Sequence, residues 1–157
     1  MWNEMAHALA AEFSDLADTA QVTRIVSRLV LAALLGGVLG LQRERHGKAA
    51  GARTHMLVAL GAALFVLVPE QAGMPTADVT RVIQGVVVGI GFLGAGTIIK
   101  RDFDANVEGL TTAADIWLTA AIGIACGFGR EATALLSALL ALAILALVPH
   151  VRRIGDG

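Results

Sequence analysis

Two stretches of the chain, residues 82–99 and 132–149, each run for 18 residues without a formal charge. As α-helix, either stretch reaches about 27 Å, enough to cross a hydrocarbon layer of about 30 Å with modest adjustment. Only helices or closed barrels satisfy their backbone groups inside lipid, and uninterrupted apolar runs of this length read as helices. Three shorter uncharged runs, 29–41, 56–69 and 116–129, reach spanning length once flanking residues join them. For the first, residues 25–42 suffice if Arg28 snorkels to the surface. The expected fold is therefore an all-α polytopic helical membrane protein. About five transmembrane helices are expected, near 25–42, 55–71, 80–99, 111–128 and 132–149, within a membrane domain at 21–150.

Composition closes the alternatives. Hydrophobic residues make up 56% and charged residues 16% of 157, with mean hydropathy +0.72; soluble domains are nearer 25% charged. A chain this apolar cannot cover a water-facing surface, so a soluble enzyme is excluded. A net charge of −1 gives no basic patch for nucleic acid. Cys126 stands alone and allows no internal disulfide. No nucleophile–base pair stands out, since Ser14, Ser27 and Ser137 read more simply as helix residues, so no catalytic activity is expected.

The Lys/Arg distribution sets an orientation. Arg43, Arg45, Lys48 and Arg53, then Lys100 and Arg101, then Arg152 and Arg153 put eight of the 12 basic residues on one side, against Arg24, Arg28, Arg81 and Arg130 on the other. Five spans make that bias self-consistent, with the N-terminus outside and a cytoplasmic tail at 151–157. The first residues lack the basic region of a cleaved leader. Trp2, Met5, Leu9, Phe13 and Leu16 recur every three or four positions among acidic residues, so residues 1–20 are expected as an amphipathic interfacial helix.

Glycines carry the next signal. Gly89, Gly91 and Gly94 match a dinucleotide-binding pattern, but they lie inside an uncharged run rather than after a buried strand, so the match is coincidental. As packing residues they make sense. Gly36 and Gly40, Gly85 and Gly89, and Gly123 and Gly127 form GxxxG pairs on three spans, where close backbone approach drives helix association in lipid. With Gly91, Gly94 and Gly96 they predict tight packing around 85–96, the alternative being a broken helix lining a cavity.

Among ionisable groups Asp115 is the sharpest. It falls about one turn inside the fourth span, where a charge needs a partner or water. Thr111, Asp115, Thr119, Gly123 and Gly127 fall at intervals of four on one face. The carboxylate reads either as an ion or proton ligand or as half of a structural pair with Lys100, Arg101 or Arg53. Glu44 follows the first span, and a loop of about a dozen residues returns Arg53, Thr54 and His55 towards it; Glu44 and Arg53 are the better pair, while Arg43 and Arg45 read as topology signals. Glu44, Asp102, Asp104, Glu108 and Asp115 offer oxygens for Mg²⁺, but the Lys/Arg of the same loops suit an anion, an acidic lipid or an acidic protein surface better. His7, His46, His55 and His150 are scattered, so no zinc site is expected.

These motifs together carry a resemblance. Gly40-Leu41-Gln42-Arg43-Glu44, Gly51-Ala52-Arg53-Thr54-His55-Met56-Leu57-Val58-Ala59-Leu60-Gly61, Gly89-Ile90-Gly91-Phe92-Leu93-Gly94-Ala95-Gly96-Thr97-Ile98 and Gly109-Leu110-Thr111-Thr112-Ala113-Ala114-Asp115-Ile116-Trp117 follow one another as in the MgtC/SapB family, which the chain resembles over most of 30–130. The resemblance implies a multi-pass protein of the bacterial inner membrane linked to magnesium homeostasis. It also implies regulatory contact with another membrane complex, such as ATP synthase or a cation transporter. The chain looks like the short form, without the ACT-like cytosolic domain many members carry. Gln42 stands where the family often has an acidic residue, and Asp115 where a small hydroxyl residue is common. Two functions follow as expectations: a regulatory membrane partner, or a homo-oligomeric transporter or channel for Mg²⁺ or another ion. No cofactor is expected, beyond Mg²⁺ as a transported or sensed ion.

Overall fold

The computed structural model describes residues 1–12, 18–100 and 107–155. In chain order these form α1 (Trp2–Glu12), α2 (Thr19–Arg45), α3 (Ala52–Gln71), α4 (Thr76–Ala95), β1 (Ile99–Lys100), β2 (Val107–Glu108), α5 (Leu110–Gly127) and α6 (Glu131–Gly155). Helices α2, α3, α4 and α5 are long and apolar enough to cross a membrane, and α6 adds an apolar stretch over Glu131–Leu147. The fold class is the expected one: a polytopic helical membrane protein of about five spans.

The element ends differ from the expected ones for local reasons. The α2 helix starts at Thr19 rather than near 25, because the Asp18 side chain accepts from the Ala20 N–H at 3.0 Å and caps it. It also runs on to Arg45, which carries Arg43 inside the helix. The α4 helix stops at Ala95, not 99. Beyond it the chain turns into a two-stranded antiparallel ladder, with Ile99 opposite Glu108 and Lys100 opposite Val107. The uncharged run masks this change, since β-branched Thr97, Ile98 and Ile99 look equally apolar in helix or strand. Gly109 then opens α5 at φ +93, and any Cβ there would collide with the Thr97 carbonyl oxygen, so only glycine fits. On α1, Trp2, Met5 and Leu9 are all exposed, leaving its apolar stripe unused within the bundle; Phe13 and Leu16 lie outside the described residues.

The core is built on α3. A Cβ placed on Gly36 would lie 2.5 Å from the His55 carbonyl oxygen, and one on Gly40 would lie 2.5 Å from the Ala52 Cα. From the other side, Gly123 lies against the Ala59 carbonyl, and a Cβ on Gly127 would come within 2.7 Å of the Ala63 carbonyl oxygen. Positions 52, 55, 59 and 63 recur every three or four residues, so one stripe of α3 receives a GxxxG pair from α2 and another from α5. Such approach brings backbones into van der Waals and Cα–H···O contact, the main source of helix association where lipid removes the hydrophobic gain. Ala32, Leu35, Leu39, Ala59, Ala63, Ile122 and Cys126 fill the space around it, with Ala134, Ala138 and Ala141 of α6.

At the opposite end of the bundle Arg28 does more than reach for the surface. Its Nη1 donates to the Gly127 carbonyl at 2.8 Å and meets Glu70 Oε2 at 3.2 Å. One α2 side chain thus satisfies a carbonyl at the end of α5 and ties it to α3.

The third glycine pair behaves differently. At Gly85, Gly89 and Gly91 a methyl group would meet no atom of another described element within 4 Å, while at Gly94 it would lie an ordinary 3.5 Å from Ala113 Cβ. The helix is continuous through them to Ala95, so it is neither broken there nor tightly packed along that face, because among the described residues α3 faces Gly85 and Gly89 only across an open cavity. Gly36→Ala should therefore lower stability by about 1–3 kcal/mol, read as the unfolding free energy in detergent micelles. Gly85→Ala should be neutral or slightly stabilising. Equal losses at both positions would contradict this packing.

Candidate functional site

The loop between α2 and α3 is short, and its closure is built around one carboxylate. Glu44 Oε2 accepts the Ala52 N–H at 3.0 Å, placing a negative charge on the first turn of α3, where orphan amides and the helix dipole favour it. A Cβ on Gly51 would come within 2.7 Å of that same oxygen, so glycine at 51 makes room for the cap. Glu44 is thus a helix cap. Arg53 is exposed, and among the described residues it forms no ion pair with Glu44.

Next to Glu44 in α2, Arg43 pairs with Asp115 of α5. Arg43 Nε lies 2.7 Å from Asp115 Oδ2, with only 6% and 12% of the two side chains exposed. The contact is close but not well aligned as a hydrogen bond, so its strength is that of an ion pair. Arg43 Nη2 also donates to Thr112 Oγ1 at 3.4 Å. The cation facing Asp115 is therefore Arg43, which the loop-charge rule assigned to topology. Arg53 is turned to the exterior, and the Lys100 and Arg101 side chains lie outside the described residues. Arg43 was missed because α2 was expected to end at 42; its extension to 45 draws Arg43 back into the bundle.

His55 completes the cluster. It is fully buried, and its Nδ1–H donates to the Gly51 carbonyl at 2.9 Å. That bond accounts for Nδ1, and among the described residues the buried Nε2 has no hydrogen-bond partner. Thr119 Oγ1–H donates to the Asp115 carbonyl at 2.7 Å, holding it on its own helix, whereas Thr111 is exposed and Thr112 is buried in its place. The structure thus gathers Arg43, His55, Thr112 and Asp115 from α2, α3 and α5. It leaves Thr111 and Arg53 on the exterior. Among the described residues no three His, Cys, Asp or Glu side chains group as a metal site; Asp102, Asp104 and His150 fall outside the residues whose side chains are described. Chemically the cluster neutralises a buried charge and, among the described residues, leaves one ring nitrogen of His55 without a hydrogen bond.

Removing one partner of a buried pair strands the other charge. Asp115→Ala should cost about 3–5 kcal/mol of stability, whereas Arg43→Met combined with Asp115→Leu should recover most of it. Unfolding free energies of the two single variants and the double variant check this. Additive losses would show that the two side chains do not interact.

Comparison with known proteins fits this architecture. The family model described as MgtC family matches residues 29–154. The chain is 45% identical to SrpB of Synechococcus elongatus over 139 residues, covering 82% of this chain and 76% of SrpB. It is 41% identical to YhiD of Escherichia coli over 130 residues, covering 76% of this chain and 58% of YhiD. It is 44% identical to MgtC of Brucella abortus over 115 residues, covering 73% of this chain and 47% of that protein. The chain thus spans about half the length of the last two relatives. No solved structure matches it. The matched segment takes in the α2–α3 loop, the glycine stripes and the Arg43–Asp115 pair, and the chain belongs to the MgtC family.

Proposed function

We propose that this protein is a regulatory membrane partner in magnesium and ion homeostasis, placed in the bacterial inner membrane with its N-terminus outside and its C-terminus in the cytoplasm. One relative, YhiD, is named "Putative magnesium transporter", which supports the link to magnesium. The Lys/Arg bias of the loops supports the orientation. The observation that carries the regulatory reading is the 2.7 Å Arg43–Asp115 contact: the carboxylate a cation path would use already has its counter-charge. A lateral surface for another membrane complex is available on α4, where Val88 and Phe92 are 76% and 81% exposed. ATP synthase and cation transporters are the partner classes to examine. On α1 the free apolar stripe suits the membrane interface.

A second reading keeps support from His55. Its buried Nε2, without a hydrogen-bond partner among the described residues, is the kind of group that a proton or ion path would recruit, and a homo-oligomer would then supply the route.

Flux into proteoliposomes separates the readings. No Mg²⁺ or K⁺ entry above empty vesicles is expected under either membrane polarity. A photo-crosslinker at Val88 or Phe92 should capture a defined ion-transport complex in native membranes. Mg²⁺ entry that vanishes in folded Asp115→Asn but survives in Glu44→Gln would establish transport instead.

A further inference from the structure

Three cavities line up along one side of the bundle and change character along their length. The first lies between α3 and α4, about 540 Å³, with Gly61, Gly85 and Gly89 as its floor and Phe65, Val82 and Leu93 as walls; every lining residue is apolar or glycine. The second, about 380 Å³, shares Val58 and Leu93 with the first and extends past Gly96 to Ala49 and Thr54. The third, about 610 Å³, shares Ala49 and Thr54 with the second and is bordered by Lys48, Arg53 and Glu44.

From Val82 to Thr97 this groove follows about 22 Å of helix and strand-turn at helical rise. That exceeds half of a hydrocarbon layer of about 30 Å. It is thus deep enough for one leaflet and ends at its basic mouth. Glu44 keeps its charge but is drawn back onto the Ala52 amide, so among the described residues of this mouth Lys48 and Arg53, both exposed, are the ones that can donate to an anionic ligand.

We propose that this groove is a binding site for an anionic phospholipid, with an acyl chain along Gly61, Gly85 and Gly89 and the phosphate between Lys48 and Arg53. An apolar trough closed at one end by two cations matches an amphiphile with a negative head, and both side chains donate well to phosphate oxygens. A second copy seated in the same groove with the same membrane orientation would bring identical basic ends to one depth, so like charges oppose that occupant. The site goes beyond the regulatory reading and stands or falls without it.

Native mass spectrometry of the full chain in detergent tests this, offering phosphatidylglycerol or phosphatidylcholine with the same acyl chains. The wild type should retain phosphatidylglycerol more strongly, with the preference falling about fivefold for each basic residue removed. Lys48→Gln with Arg53→Gln should retain both lipids equally. Gly85→Leu with Gly89→Leu, which fills open space rather than a packed contact, should reduce retention of both. Equal retention by the wild type, or a preference unchanged in the Lys48→Gln, Arg53→Gln variant, would overturn the proposal. So would glycine variants that bind lipid normally but change from dimer to monomer, since the groove would then be a protein interface.

Discussion

Backbone contact without intervening side chains is the constraint on which this bundle rests. Gly36 and Gly40 of α2, and Gly123 and Gly127 of α5, let both helices lie directly on the stripe of α3 that includes Ala52, His55, Ala59 and Ala63. A methyl group at any of the four would meet backbone or Cβ atoms at separations that folded proteins do not tolerate. Because α2 and α5 approach α3 so closely, side chains from one can reach the other across it. The Arg43–Asp115 pair at one end and the Arg28–Gly127 bond at the other exist for that reason.

The ion pair then acquires a meaning that neither residue has alone. A lone carboxylate inside a span is costly, and a lone guanidinium at the same depth is no better. Together they form a neutral unit, and the Arg43 guanidinium also donates to Thr112 Oγ1. Such a pair adds little net stability over apolar residues of equal size, but it fixes how α2 and α5 face each other, since breaking it strands a charge. His55, pinned by Gly51, is buried in the same bundle with its Nε2 unbonded among the described residues.

Much of this was legible in the residues themselves. Uncharged run lengths imply about five spans, and four-residue glycine spacings single out three pairs without saying which helix each meets; two of them lie against α3. What stayed hidden depended on where helices end and which neighbours they take. Arg43 looked like a loop charge because nothing local says that α2 continues to Arg45. The strand pair after α4 was invisible because its β-branched residues extend an apolar run that already reads as helix. Gly85 and Gly89 share the spacing of the packed pairs, yet among the described residues they border a cavity rather than a close contact. A spacing motif shows where a close approach is permitted, and only the tertiary arrangement shows whether one is made.

The central claim is that the Asp115 carboxylate is neutralised within the protein by Arg43. Solid-state NMR of the full chain in lipid bilayers tests it directly, through dipolar coupling between guanidinium ¹⁵N and the Asp carboxyl ¹³C. The account predicts a short-range nitrogen–carbon coupling, as expected when Nε lies 2.7 Å from a carboxylate oxygen, present in the wild type and absent in both Arg43→Gln and Asp115→Asn. A wild-type spectrum with no such coupling would contradict it, and would leave Asp115 available as an ion ligand.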